Sequence, residues 1–412
     1  MEQDGGVMPA IIGFPSVVEE VLSQYRDVFG TEAARRPFAE YLTGLMIAEH
    51  KTVSAINREF AVTTDQSCLN RWLTQVEWDV TALNRQRLAL LQQDRETRYT
   101  QHGVIAIDNT LIDHEGKLIA DVGWFWDHAD KRHLIAHDYL IANYVCASGK
   151  HYPLDFRRFK KREPCEAAGE RFKNHTALCL ELIDWVVAEG IPGDITFDSY
   201  FTTVETLNHI HRLKRAYVGD LKFNRKLVVD GKEIKASEWV KTLRPWVRTK
   251  TMSGGEAQWF FTKSIRLPGV EHKVRLVVLW KEREDPTPVK LLVTNNTWWE
   301  THRVLRTYRH RWSGTEPFHR DGKQHLGMGD CQLRSAIGHT RHRPLVFVAY
   351  STLLRHVRAD RAEEWALSRL MTIGECCRAV SRQALGSTIA WVVQQTLNGR
   401  SLQDIKSQLA LL

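Results

Sequence analysis

A chain of 412 residues, 43% hydrophobic and 26% charged, is long enough for two or three domains with a sizeable core, and its composition excludes a disordered or fibrous chain. Its formal net charge of +8 favours a polyanionic partner, nucleic acid or an acidic membrane surface, over a basic one. The seven cysteines (Cys68, Cys146, Cys165, Cys179, Cys331, Cys376, Cys377) are odd in number and lack CxxC spacing, which argues against a disulfide framework or a zinc ribbon and makes a reducing cytoplasm the simplest compartment.

No signal peptide is expected, because the start of the chain lacks a basic segment followed by an apolar core and a cleavage site. The most apolar run, Leu345 to Leu354, is about half the length that spans a bilayer and reads as a core helix, so no membrane partner is expected.

Residues 1–100 read as helical. Phe38, Leu42, Leu45 and Met46 recur at helical spacing, then Val53, Ile56 and Phe60, then Leu69, Trp72 and Leu73. Thr63, Thr64 and Asp65 offer N-cap oxygens to the helix that follows them. Short helices joined by short turns suit a helix-turn-helix, and they suit a plain packing bundle equally; DNA recognition and simple packing both stay open here.

From about residue 101 the period changes. Segments 103–107, 118–126, 134–146 and 152–159 are rich in β-branched and aromatic residues and are broken by turns such as His114-Glu-Gly116, so consecutive strands are expected. A helix is expected over 166–189, with Phe172, Leu178, Leu182, Ile183 and Val186 inward, stopped by Gly190-Ile-Pro192. A short strand ending at Asp198, a helix over 203–213 and a strand over 216–221 follow, the order of a mixed sheet with helices on its faces. Residues 222–297 then read as a β-rich insertion, with a hairpin turn at Val229-Asp-Gly-Lys232 and strands over 259–262, 274–280 and 290–294. Helices are expected over 340–359, 373–396 and 401–411. The resulting division is a helical, DNA-binding region over 1–100, an α/β core over 101–221 and 298–335 interrupted by the insertion at 222–297, and helices over 336–412.

Three acids stand out. Asp108 closes Val104-Ile-Ala-Ile, Asp198 closes Asp194-Ile-Thr-Phe, and Glu316 sits among Arg and His side chains in the segment from Tyr308 to Met328. Carboxylates beside Arg and Lys suit a metal site that handles phosphates: Mg2+ takes few carboxylates and leaves positions for substrate oxygens, and two such ions about 4 Å apart serve an in-line displacement at phosphorus. Asp at a strand end is also a common turn cap. Asp113, Glu115, Asp127 and Asp130 crowd the first segment and Asp194 and Asp220 the second, so composition does not choose among them.

Asp108 in a strand, Asp198 within Phe-Asp-Ser-Tyr-Phe-Thr-Thr, and Glu316 between Tyr308-Arg-His-Arg-Trp312 and Lys323-Gln-His-Leu-Gly327 together resemble the catalytic core of DDE transposases of bacterial insertion sequences, most closely the group with a Tyr-Arg-Glu-Lys signature. The resemblance covers roughly residues 100–330. It implies an RNase H-like fold with Asp108, Asp198 and Glu316 as catalytic ligands of two Mg2+ ions, for which Mn2+ can substitute. It places Tyr308, Arg311 and Lys323 at signature positions next to the cleaved phosphate. Four residues, not the usual three, separate Arg311 from Glu316, which offsets Tyr308 and Arg311 by about 100° of helix and makes Arg309 or Arg320 an alternative phosphate contact. The implied activity is Mg2+-dependent cleavage at element ends and joining of 3′ hydroxyls to target DNA by a homodimer on double-stranded DNA, in the bacterial cytoplasm. A domesticated DNA-binding protein of the same fold and a metal-dependent DNA nuclease are the alternatives.

Other features carry less. His133 and His137 lie on one side of a strand and are expected to be structural, not a zinc pair. Trp259, Trp280, Trp298 and Trp299 are candidates to stack on a flipped base, worth roughly 1–3 kcal/mol, though most of the 14 Trp must be core. The basic runs Arg157 to Arg162 and Arg303 to Arg311 suit a DNA channel or a solvated surface. Backbone binding by them implies a log–log salt slope of about −0.9 per phosphate.

Overall fold

The structure is a computed structural model that describes residues 11–62, 65–116, 118–128, 130–251, 257–360 and 362–409. Along the chain the first elements are helices α1 (Ser16–Gln24), α2 (Glu32–Ile47), α3 (Val53–Arg58), α4 (Gln66–Thr74) and α5 (Val80–Gln93). Strands β1 (Val104–Asp113), β2 (Gly123–Asp127), β3 (Arg132–Val145) and β4 (His151–Phe159) follow. Then come α6 (Arg162–Ala167), α7 (His175–Ala188), β5 (Asp194–Phe197), α8 (Val204–Arg212), β6 (Tyr217–Asp220), β7 (Lys226–Val229), β8 (Lys232–Lys235) and the short α9 (Ala236–Trp239). Strands β9 (Arg248–Thr251), β10 (Ala257–Ile265), β11 (Val274–Trp280) and β12 (Lys290–Thr294) lead into α10 (Thr301–His325), α11 (Ala336–His356), α12 (Ile373–Leu397) and α13 (Leu402–Gln408).

These elements form two compact units. One comprises the chain up to Thr97, Ile112–His137 and the chain from His319 on; the other comprises Arg98–Leu111 and Asp138–Phe318. In the first unit α2, buried from Pro37 to Met46, packs against α1, α3, α4, α11 and α12, so the helices from the two ends of the chain share one core. Several polar side chains inside that core pair with one another: Tyr41 Oη and His342 Nδ1 lie 2.8 Å apart, and Arg87 donates to Asn84 and Ser351. The apolar run Leu345 to Leu354 is the buried centre of α11. No helix among the described residues is long and apolar enough to cross a membrane. Asp65 caps α4 by accepting from Ser67 N–H; Thr63 and Thr64, expected to share that work, lie outside the described residues.

The second unit is built on one mixed sheet in the order β4-β3-β1-β5-β6-β12-β11-β10-β9. Strands β1, β5 and β6 are parallel, and β12, β11, β10 and β9 add to them antiparallel. α7 packs on β4 and α8, and Val304, Leu305 and Tyr308 of α10 close an apolar cluster with Val218, Val277, Leu279, Leu292 and Trp299. This is the α/β, RNase H-like mixed-sheet fold with helical flanks that the sequence implies.

Several expectations need correction. The helix expected over 166–189 is two, because residues 168–174 leave the helix and Asn174 caps a new start by accepting from Ala177 N–H at 2.8 Å; Phe172 lies in that break, against Phe159. The strand expected over 118–126 is only Gly123–Asp127. β1 runs five residues past Asp108, so Asp108 lies inside a strand and does not end it. The segment over 222–297 is β-rich as expected: β9 to β12 extend the core sheet from β6, and the hairpin β7–β8, turned by Asp230 and Gly231 at φ 49° and 82°, makes a separate two-stranded sheet. Both turn residues sit in the left-handed region that the Asp-Gly pair favours.

Candidate active site

The parallel strands set the acids. Val104 to Ile107 of β1 pair with Asp194 to Phe197 of β5, and Ile195 to Phe197 pair with Tyr217 to Gly219 of β6. Continued by one residue, that register sets Asp108 beside Asp198 and Asp198 beside Asp220, on strands about 4.8 Å apart. Side chains in register on neighbouring strands leave the sheet on the same face, so the three acids line up across it, at the carboxyl ends of β5 and β6 and midway along β1.

Glu316 reaches this end from α10. Gly314 makes that approach possible: a Cβ there would lie 2.4 Å from Val145 Cγ2 and 3.7 Å from Ala106 Cβ, so the helix touches β3 and β1 where no larger residue fits. Arg311, one turn earlier and buried, donates from Nη1 to Asp108 Oδ2 at 2.9 Å, and its guanidinium stacks 3.9 Å from the centroid of Trp312. Glu316 itself is exposed.

Asp108 carries the electrostatic signature of the site. Burial raises its carboxyl from the ordinary 3.8 to about 6; Arg311 pulls it down, Asp198 pushes it up, the Asn109 N–H pulls it down and Glu316 pushes it up. Both other acids are therefore near enough for their charge to be felt there. The three carboxylates still do not share a 4.8 Å sphere, since among the described residues only His114, His137 and His339 form so tight a group of potential metal ligands. Mutual repulsion opposes closer approach.

The remaining acids have other partners. Asp220, raised by burial, faces Lys290 at 3.3 Å and accepts from Tyr308 Oη at 3.4 Å. Asp194, at the opposite end of β5, pairs with Arg303, and Asp113 and Asp130 pair with Arg132. Asp198 does serve as a turn cap, its Oδ1 accepting from the N–H groups of Tyr200 and Phe201.

Of the signature cations, Arg311 points at the acids despite the extra residue in its spacing. Tyr308 is buried in the apolar cluster below Lys290, and Arg309 is exposed. Arg320 is exposed and pairs with Asp321, and Lys323 is exposed with Asp127 and Asp113 among the charges acting on it. The basic run from Arg157 is largely ion-paired, Arg157 with Asp155 and Lys160 with Glu170. Among the tryptophans, Trp280 and Trp299 are buried, Trp259 pairs in register with Trp280, and Trp298 is 92% exposed. Because β12 runs antiparallel to β6, Trp298 lies toward the amino-terminal end of β6, away from the acids.

A network beside the acids has no counterpart in the sequence reading. Asp138, buried in β3, accepts from Asn109 Nδ2 at 3.3 Å and bonds His175 Nε2 at 2.7 Å; His175 stacks on Phe159 and meets Tyr200 Oη at 3.1 Å. Its one sequence signal is Asp138 itself, the single carboxylate in a strand that is mostly apolar from Leu134 to Val145.

An RNase H-like sheet with acids lined up where β5 and β6 end suits a nuclease built on that fold. A family model described as DDE superfamily endonuclease matches residues 24–256, more than half of the 412, and the chain belongs to that family. The matched residues include Asp108 and Asp198 and end before Glu316. No curated protein matches the chain.

Proposed function

We propose that this DDE-family endonuclease is an insertion-sequence transposase that cleaves at the ends of its own element and joins the freed 3′ hydroxyls to target DNA, working as a dimer on DNA. What supports this reading most is that Asp108, buried and hydrogen-bonded to Arg311 of the helix that carries Glu316, lies within reach of the charges of Asp198 and Glu316.

The residues fit Mg2+. A carboxyl held near 6 by burial and by two like charges gains from a compensating cation, and hard carboxylate oxygens suit that ion or Mn2+. Asp108, Asp198 and Glu316 would hold it. When bound, the ion supplies Lewis-acid polarisation of a phosphodiester oxygen and eases deprotonation of an attacking hydroxyl. The chain's own side chains do the rest: Arg311, fixed by Asp108 and Trp312, presents a cation to the scissile phosphate, while Lys323 and Arg320 hold flanking phosphates. Tyr308, with Lys290 and Asp220, keeps α10 seated on the sheet. The N-terminal helices recognise the element ends.

The deciding experiment incubates the protein with Mg2+ and DNA carrying the element's own ends, beside Asp108→Ala and Glu316→Ala. Both variants should lose cleavage, and wild type should yield joined strand-transfer products; cleavage surviving both substitutions overturns the site. Cleavage without joined products would leave a nuclease, and DNA binding without cleavage would leave a domesticated binding protein.

A further inference from the structure

Outside the acid site, the first unit holds a second cluster of chemistry-bearing side chains. His114 in the turn after β1, His137 in β3 and His339 in the first turn of α11 are all buried, and one potential ligand nitrogen from each lies within 4.8 Å of the other two. His137 does not work with His133, which is exposed against the edge of Trp126.

Hydrogen bonds settle the proton positions. His137 Nε2 meets Ala120 O at 2.8 Å and His339 Nε2 meets Leu333 O at 2.6 Å; a carbonyl only accepts, so both Nε2 atoms carry the proton and both Nδ1 atoms carry lone pairs. His114 Nε2, 2.8 Å from His137 Nδ1, must then donate to it, which leaves His114 Nδ1 as a lone pair, and that atom is buried with no hydrogen-bond partner. A ligand imidazole whose outer N–H is anchored on a backbone carbonyl is the arrangement by which proteins orient histidines on a metal. Two of the three have it. The third, His114, faces His137 Nδ1 through Nε2, and its buried Nδ1 has no hydrogen-bond partner among the described residues, so it can take the ring proton when Nε2 turns to a metal.

We propose that His114, His137 and His339 form a binding site for one divalent transition-metal ion of the zinc class, a structural pin separate from the carboxylate site. Zinc at 2.0–2.1 Å from each nitrogen sets neighbouring ligand nitrogens about 3.3 Å apart, so His114 and His137 part by about half an ångström and His339 closes in. His114 gives up its bond to His137: Nε2 becomes the ligand, and the ring proton passes to the unpartnered Nδ1. Nearby groups neither complete nor block the set: His342 uses both nitrogens, on Tyr41 and on Gly327 O. Arg343 is the adverse charge. It donates to Met328 O, and together with burial it keeps His114 neutral, the form that ligates. Three imidazoles with no carboxylate select against Mg2+ and Mn2+, which prefer oxygen ligands, so the two sites load independently.

The test is titration of the full chain with Co2+. Visible d–d absorption should rise to saturation at one ion per chain, and one equivalent of Zn2+ should abolish it. Mg2+ in large excess should leave it unchanged. His114→Phe and His339→Gln, checked by far-UV circular dichroism, should lose that absorption, while Asp108→Asn with Glu316→Gln should keep it. Unchanged binding by folded His variants overturns the site. If both His variants fail to fold, the wild-type titration decides alone: no saturable binding at one equivalent, or displacement by Mg2+, overturns it.

Discussion

Replacing Asp108 by Asn should make the protein more stable, and by an amount set by pH. The carboxyl titrates at about 6 when folded, against 3.8 ordinarily, chiefly because burial disfavours its charge. Between those two values the folded chain holds a proton that the unfolded chain has lost. Stability therefore falls as pH rises through the window, and the full cost, about 3 kcal/mol, is present above pH 6. Asn has nearly the shape and charge of the protonated acid. The variant should therefore exceed wild type by about 3 kcal/mol at pH 8, by about half as much at pH 5 and by almost nothing at pH 3. With Arg311 at 8% and Asp108 at 17% side-chain exposure, little solvent screening intervenes. Calorimetric melts at the three pH values read the difference as about 2–4 °C per kcal/mol in a unit of this size. A gap that does not widen with pH, or a less stable variant at pH 8, refutes the reasoning. Mg2+ at pH 8 should raise the melting temperature of wild type and not of Asp108→Asn.

Two further substitutions probe the same corner. Arg311→Met removes the only cation hydrogen-bonded to Asp108 among the described residues; the carboxyl should titrate above 6, moving the acid limb of any Mg2+-dependent cleavage profile to higher pH, and stability at pH 8 should drop by about 3 kcal/mol. Gly314→Ala forces a Cβ against Val145 and should cost about 1–3 kcal/mol in urea melts, with a larger loss of cleavage because Glu316 rides on the same helix. Gly386→Ala in α12, where a Cβ meets nothing within 4 Å, is the control and should be neutral or stabilise by up to about 1 kcal/mol.

Local pattern made much of the fold legible. Helical spacing at Phe38, Leu42 and Leu45 located α2, and alternating apolar residues with Asp-Gly and Ala-Ser-Gly turns located β3, β4 and the β7–β8 hairpin within a residue or two. The misses have local causes. Phe172 continued an apolar pattern across 168–174, but Asn174 offered a better helix start than the residues before it. That the strands after β6 add to the core sheet was not legible, because strand pairing is non-local: nothing near Val274 or Lys290 says that β12 will dock on β6.

For the candidate site the division is sharper. The chain's own residues, read in order, determine an α/β protein with helical flanks, a basic surface and acids in strand-like positions, because helix and strand periods and turn chemistry are local properties. They also single out Asp108, Asp198 and Glu316, though only through likeness to a family. Tertiary structure alone decides which carboxylates are occupied: Asp194 by Arg303, Asp220 by Lys290, Asp113 by Arg132. The same holds for Arg311, which meets Asp108 across 203 residues, and for three histidines from a turn, a strand and a helix. Charges and hydrogen bonds act over a few ångströms of space and are indifferent to distance along the chain, so no spacing rule could have chosen them.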